Sequence, residues 1–156
     1  MVQTLTRIQI LTELKRFFTA KELFCPHTIN RFGKDGVWFL MPTFWAETLI
    51  AVRRDILQVR MLCNDDKSTQ RGCRCNLCQI VKDETSKNQC YQSPHTNNIG
   101  NDFILLDGMT AEQARKKIVE KQLLLPYNIR LESDVSYLHI DGYDYDNGKI
   151  VNFFKG

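Results

Sequence analysis

The sequence predicts an α+β domain in which N-terminal helices pack on a mainly antiparallel C-terminal sheet. Two patterns carry this prediction. Apolar residues recur at helical spacing over 5–18 and 43–57, whereas from residue 102 onward short alternating runs are bounded by turn residues. Between the halves lies a polar, cysteine-rich stretch, 63–98, too long for an ordinary connection and of the kind that is either functional or disordered. At 156 residues with 43% hydrophobic content the chain can bury one core but not two, so 1–156 reads as a single domain.

Over 5–18, Ile8, Leu11, Leu14, Phe17 and Phe18 form an amphipathic stripe, and the helix should end near Ala20. Thr19 or Thr28 can cap a short turn, and Phe24, Pro26 and residues 31–36 read as an irregular connection with Gly33 and Gly36 at turns. A second helix should begin after Pro42 and run to Leu57, burying Phe44, Leu49, Ile50, Val52, Ile56 and Leu57.

Residues 58–61 shorten to a strand pattern and 102–106 read as a short buried strand. Thr110, with Glu112 and Gln113 in the first turn, caps a helix reaching Lys121, and Pro126 prevents the helix from extending past residue 125. Residues 129–131 and 135–140 alternate like strands. Asn147-Gly148, between Tyr143 and the run 150–154, is a hairpin turn signal.

The net charge of +3 carries no argument for nucleic acid, although a mildly basic surface suits an anionic wall. Gln3, Arg7, Glu13, Lys15 and Arg16 interrupt the first twenty residues, and no stretch approaches the roughly 20 apolar residues of a membrane span, so the expectation is a soluble product that starts in a cytoplasm with no membrane partner. A disulfide framework is then the less expected use of the six cysteines. Five of them cluster at Cys63, Cys73, Cys75, Cys78 and Cys90. Cys73, Cys75, Cys78 and Cys90 are candidates for a structural zinc that orders the long loop, against the alternative of free reduced thiols. Cys25 stands alone, and His27 reads as a loop or surface residue. Asp141, Asp144 and Asp146 do not match the spacing of a calcium loop.

Two of the three histidines lie in suggestive surroundings. His95 precedes Asp102 by seven residues, and His139 sits in a strand-like run. Two imidazoles and a carboxylate make the three-ligand set of a catalytic zinc, and an Asp102 opening one strand and a His139 on its neighbour would converge on one face. Spacing alone equally fits a solvated loop histidine, a capping aspartate and a satisfied core histidine.

The flanking residues add a resemblance. Ser93-Pro94-His95, six residues, Asp102, then Tyr137-Leu138-His139 resembles the motif of zinc D-alanyl-D-alanine carboxypeptidases and L-alanyl-D-glutamate endolysins, which share a fold with hedgehog signalling domains. It takes in Arg71-Gly72-Cys73-Arg74 and residues 107–112, covering roughly 20–145, as in small phage-encoded members. It implies a hedgehog-like fold, one catalytic zinc on His95, Asp102 and His139, and hydrolysis of peptidoglycan stem or cross-link peptides at the bacterial cell wall. Two departures stand out. Thr96 to Asn101 replace the Gly and Ala usual between histidine and aspartate, and Ser136 occupies the position where many members carry the catalytic carboxylate.

The general base is therefore open. Asp141 shares a strand face with His139, while Glu132 matches the further-upstream glutamate of hedgehog-like relatives. These two rank equally, ahead of Asp134 and then Asp107. For each the plainer role is a solvated carboxylate, or for Asp141 one that orients His139. Arg71 or Arg74 would hold a substrate carboxylate through a guanidinium fork, and Ser93 would orient the site. The second function class is a zinc-binding structural or binding protein on the same fold without turnover, which the serine at Ser136 permits. A nucleic-acid-binding cysteine module finds little support in the weak charge.

Overall fold

The computed structural model describes residues 5–86, 88–143 and 148–156. The chain opens with α1 (Arg7–Leu14), entered through a capping box between Thr6 and Gln9. It is shorter than the apolar pattern suggests, and Ile8 is 69% exposed. Ile10, Leu11 and Leu14 form the buried stripe, and at 100° per residue Ile8 lies roughly 110° round the helix from its centre. Phe18 is buried from the turn beyond.

The expected irregular connection is instead helical. Thr19 and Glu22 box the start of α2 (Ala20–Leu23), and Cys25 opens α3 (Pro26–Gly36), with Pro26 supplying a preset φ in its first turn. Helix α3 buries none of its residues, and its Pro26, Gly33 and Gly36 are the turn signals that make it read as irregular in the sequence. Gly33, at φ 76°, breaks it near its end. After a 3₁₀ turn over Val37–Leu40, α4 (Thr43–Ile50) continues as a π-helical stretch, Ala51–Leu57, and Gln58 ends it in the left-handed region. Trp45, Ala46, Leu49, Val52, Ile56 and Leu57 are fully buried, as the helical spacing over 43–57 requires.

The sheet is built from five short strands: β1 (Met61–Leu62), β2 (Gly100–Leu105), β3 (Ile129–Glu132), β4 (Leu138–Asp141) and β5 (Val151–Phe154). Two helices interrupt them, α5 (Gln79–Glu84) in the long loop and α6 (Ala111–Glu120), which Thr110 and Gln113 box at its start. The sheet order is β1-β2-β4-β3-β5, antiparallel except for β3 with β5. The expected hairpin falls on residues 144–147, which lie outside the described residues; the described strand beyond them, β5, pairs in parallel with β3.

One core joins the layers. Leu14, Phe18, Trp45 and Leu49 meet Phe103, Ile118, Leu131, Leu138 and Ile140, all buried. The result is an α+β domain with helices packed against a mainly antiparallel sheet. Among the described residues no helix is long and apolar enough to cross a membrane.

Candidate metal centre

Register places the chemistry on one face of the sheet. Asp102 on β2 pairs with His139 on β4, and Arg130 on β3 pairs with Asp141. Continuing the β3–β4 register one step sets Glu132 opposite His139. Side chains two apart on a strand and those directly across a ladder share a face, so Asp102, His139, Asp141, Arg130 and Glu132 project together.

His95 arrives from the long loop. Ser93 accepts hydrogen bonds from the backbone N–H and hydroxyl of Thr96, closing the tight turn that carries the imidazole. Beneath it the backbones crowd. A Cβ at Gly100 would collide with Pro94, and one at Gly72 would collide with the Leu23 carbonyl, so both positions need glycine. Gly72 in turn offers its carbonyl to His95 Nδ1 at 3.0 Å, leaving Nε2 directed at Asp102 Oδ2, 3.5 Å away. Asp102 N–H donates to the Arg71 carbonyl, which fastens the loop to the edge of β2.

His139 presents its other nitrogen. Nδ1 lies 2.6 Å from Asp102 Oδ1, while Nε2 lies 3.0 Å from Asp141 Oδ2. Burial alone would push the Asp102 carboxyl up, but hydrogen bonds to His139 and His95 hold it well below the usual carboxylate range. Burial works against a charged His139 as well. The two flanking carboxylates overcome it and raise its pKa to about 9. Asp141 is also held low, against its burial, by His139 and by the Arg130 fork at 2.8 and 2.9 Å.

The ligand atoms of His95, Asp102 and His139 all lie within 4.8 Å of one another. One Nε2, one Nδ1 and a carboxylate oxygen are thereby gathered, and each histidine's second nitrogen is already taken by a carbonyl or carboxylate. Two imidazoles and a carboxylate, each imidazole supported from behind, form a group able to hold a metal ion.

The three residues line a cleft of about 310 Å³ with Arg74, Glu132 and Tyr137. A larger groove, about 520 Å³ beside Phe24 and Asp65, is lined by no histidine or cysteine. Tyr137, its phenol pushed up by burial and by the charge of Glu132, donates to Glu132 Oε2 at 3.3 Å. Arg115 of α6 fastens the connection that carries these groups: its buried guanidinium donates to the carbonyls of Glu132, Val135 and Tyr137.

The sequence candidates separate accordingly. Glu132 lines the cleft; Asp141 is fully buried behind His139 and faces Arg130. Asp134 stands away, exposed and paired with Lys155 at 2.9 Å, and Asp107 pairs with Arg60. Ser136 is exposed in the β3–β4 connection. Arg74 reaches Asp102 Oδ2 at 3.5 Å from the cleft wall, whereas Arg71 turns to Asp65 and the Cys63 carbonyl. Ser93 lines the cleft, and its hydrogen bonds go to the His95 turn.

The expected cysteine set needs correction. Cys73 is buried in the main core and Cys90 is exposed. Cys75 and Cys78 instead meet Cys25 and His27, with all four ligand atoms within 4.8 Å of one another, so the chain holds a second group able to bind a metal. Cys25 reads as isolated and His27 as a surface residue in the sequence because their partners lie some fifty residues away; only the Cys-x-His spacing hints at a pair. Arg115 and Arg130 carried no local signal either. Comparison with known proteins finds no matching family model, curated relative or solved structure.

Proposed function

We propose that the chain is a zinc-dependent peptidase that hydrolyses stem or cross-link peptides of peptidoglycan, a phage-type wall-lysis enzyme. The observation that carries the chemistry is the convergence of His95, Asp102 and His139 in one cleft with Glu132 opposite His139. The wall substrate rests on the resemblance of the Ser-x-His, Asp and aromatic-x-His pattern to the peptidoglycan carboxypeptidases and endolysins.

Zinc on these three ligands would supply a Lewis acid for the scissile carbonyl and lower the pKa of water. Glu132 takes the proton from the attacking water on a carboxylate oxygen and returns it to the leaving amine, with Tyr137 steadying Oε2. Arg74 binds a substrate carboxylate at the cleft wall. Asp141 keeps His139 in the tautomer that presents Nδ1, and Arg130 keeps Asp141 charged.

The experiment is digestion of purified peptidoglycan of several cross-link types by the zinc-loaded protein, reading newly freed amino groups and released D-alanine. Hydrolysis that chelation stops, zinc restores and His139→Ala abolishes is the expected result. Zinc bound at full occupancy with no bond cut in any wall type would refute the reading.

A further inference from the structure

We infer that Cys25, His27, Cys75 and Cys78 hold a structural zinc that pins the long loop to the helical layer. The four ligands come as Cys-x-His from the start of α3 and Cys-x-x-Cys from the loop just before α5. In a tetrahedral site with Zn–S near 2.3 Å and Zn–N near 2.0 Å, neighbouring ligand atoms stand roughly 3.5–3.8 Å apart. Here Cys78 Sγ and His27 Nδ1 are 3.9 Å apart and no pair exceeds 4.8 Å, so an ion closes the site with a shift of about 1 Å or less. Four protein ligands leave no open position, which marks a structural rather than a catalytic centre.

Two further features suit thiolate ligands. The Leu77 N–H points at Cys75 Sγ from 3.4 Å, and the Thr28 hydroxyl lies 3.0 Å from Cys25 Sγ. The two segments are also held together independently of any ion. Phe24 bridges Cys73 in parallel, Cys25 N–H donates to the Cys73 carbonyl and Cys73 N–H to the Leu23 carbonyl, so the Cys-x-x-Cys turn is delivered to the start of α3.

The loop has a need that the ion meets. Between β1 and β2, among the described residues, its only regular helix is the six-residue α5, and the small cluster of Cys25, Cys78 and Val81, with Ile80 and Tyr91, is apart from the main core. Yet the same stretch brings Arg74, adjacent to Cys75, and His95 to the cleft. A zinc there replaces the hydrophobic burial the loop lacks, as structural zinc does in small folds. The site stands whether or not the cleft is a peptidase.

The test is cobalt substitution of the full chain under reducing conditions. Cobalt-saturated wild-type protein should show the thiolate-to-cobalt charge-transfer band and strong visible absorption of a tetrahedral sulfur-rich site, with two ions per chain. The Cys75→Ser/Cys78→Ser double variant should lose that band and one ion, and become susceptible to proteolysis within 64–98. His139→Ala should keep the band and lose the other ion. A saturated wild-type protein without the charge-transfer band overturns the inference even if the double variant fails to fold, as does a folded double variant that keeps both ions. An unchanged metal count in His139→Ala counts against the cleft site and leaves this one intact.

Discussion

Nε2 of His139 sits 3.0 Å from Oδ2 of Asp141, and that carboxylate is wholly buried with a single guanidinium, Arg130, gripping both its oxygens. On the proposed function, Asp141 aims a metal ligand and Glu132, across the ladder, takes the proton-transfer role.

Asp141→Asn should therefore act on metal binding before it acts on chemistry. Loss of a carboxylate behind a ligating imidazole costs about 10–100-fold in metal affinity. Removing the carboxylate charge from the buried pair with Arg130 should also lower stability. Competition with a chelating indicator and denaturant unfolding read the two effects separately.

Glu132→Gln keeps the size of the side chain and removes its basicity. Turnover should fall by about 10²–10⁴-fold, with zinc content unchanged. Asp134→Asn, at a residue exposed beside Lys155, should leave turnover near that of wild type. Steady-state hydrolysis of a soluble stem peptide, paired with metal analysis, checks both.

The two loop arginines should part company. Arg74→Ala should raise KM for peptides with a free carboxylate by about 10–100-fold, the loss of a charged hydrogen bond worth about 1.5–3 kcal/mol. Arg71→Ala breaks a partly exposed pair with Asp65 and should cost little stability, with KM unchanged. Equal KM effects would mean that the cleft wall is assigned to the wrong residue.

Cysteine reactivity tracks burial. Cys63 is sealed in the core, and burial pushes its thiol up to about 12, so in mildly alkaline buffer it is protonated as well as inaccessible. Cys90 is exposed. Peptide mapping after iodoacetamide treatment of the native protein should find Cys90 alkylated and Cys63 protected until the chain is unfolded.

The parts of the molecule legible in its sequence are those fixed by local period or by residue type. The alternation around His139 and the short apolar run after Asp102 implied facing strands, and register then set the two ligands side by side. The spacing from Phe44 to Leu57 marked a buried helix for the same reason. Helix α3 was illegible because Pro26, Gly33 and Gly36 read as turn signals and none of its residues is fully buried. The turn signal at Asn147-Gly148 is local, whereas strand order depends on β3 wedging between β4 and β5, a long-range choice. Arg115 and Arg130 work through carbonyls and a carboxylate supplied by distant segments, so no spacing announces them.

The most direct measurement is a zinc-edge anomalous difference map from crystals of the zinc-saturated protein. The metal-centre assignment requires a peak about 2.0–2.2 Å from His95 Nε2, an Asp102 carboxylate oxygen and His139 Nδ1, with Glu132 facing the remaining coordination position. Zinc-saturated crystals whose anomalous density is confined to other residues, with His139 Nδ1 still bonded to Asp102, would contradict it.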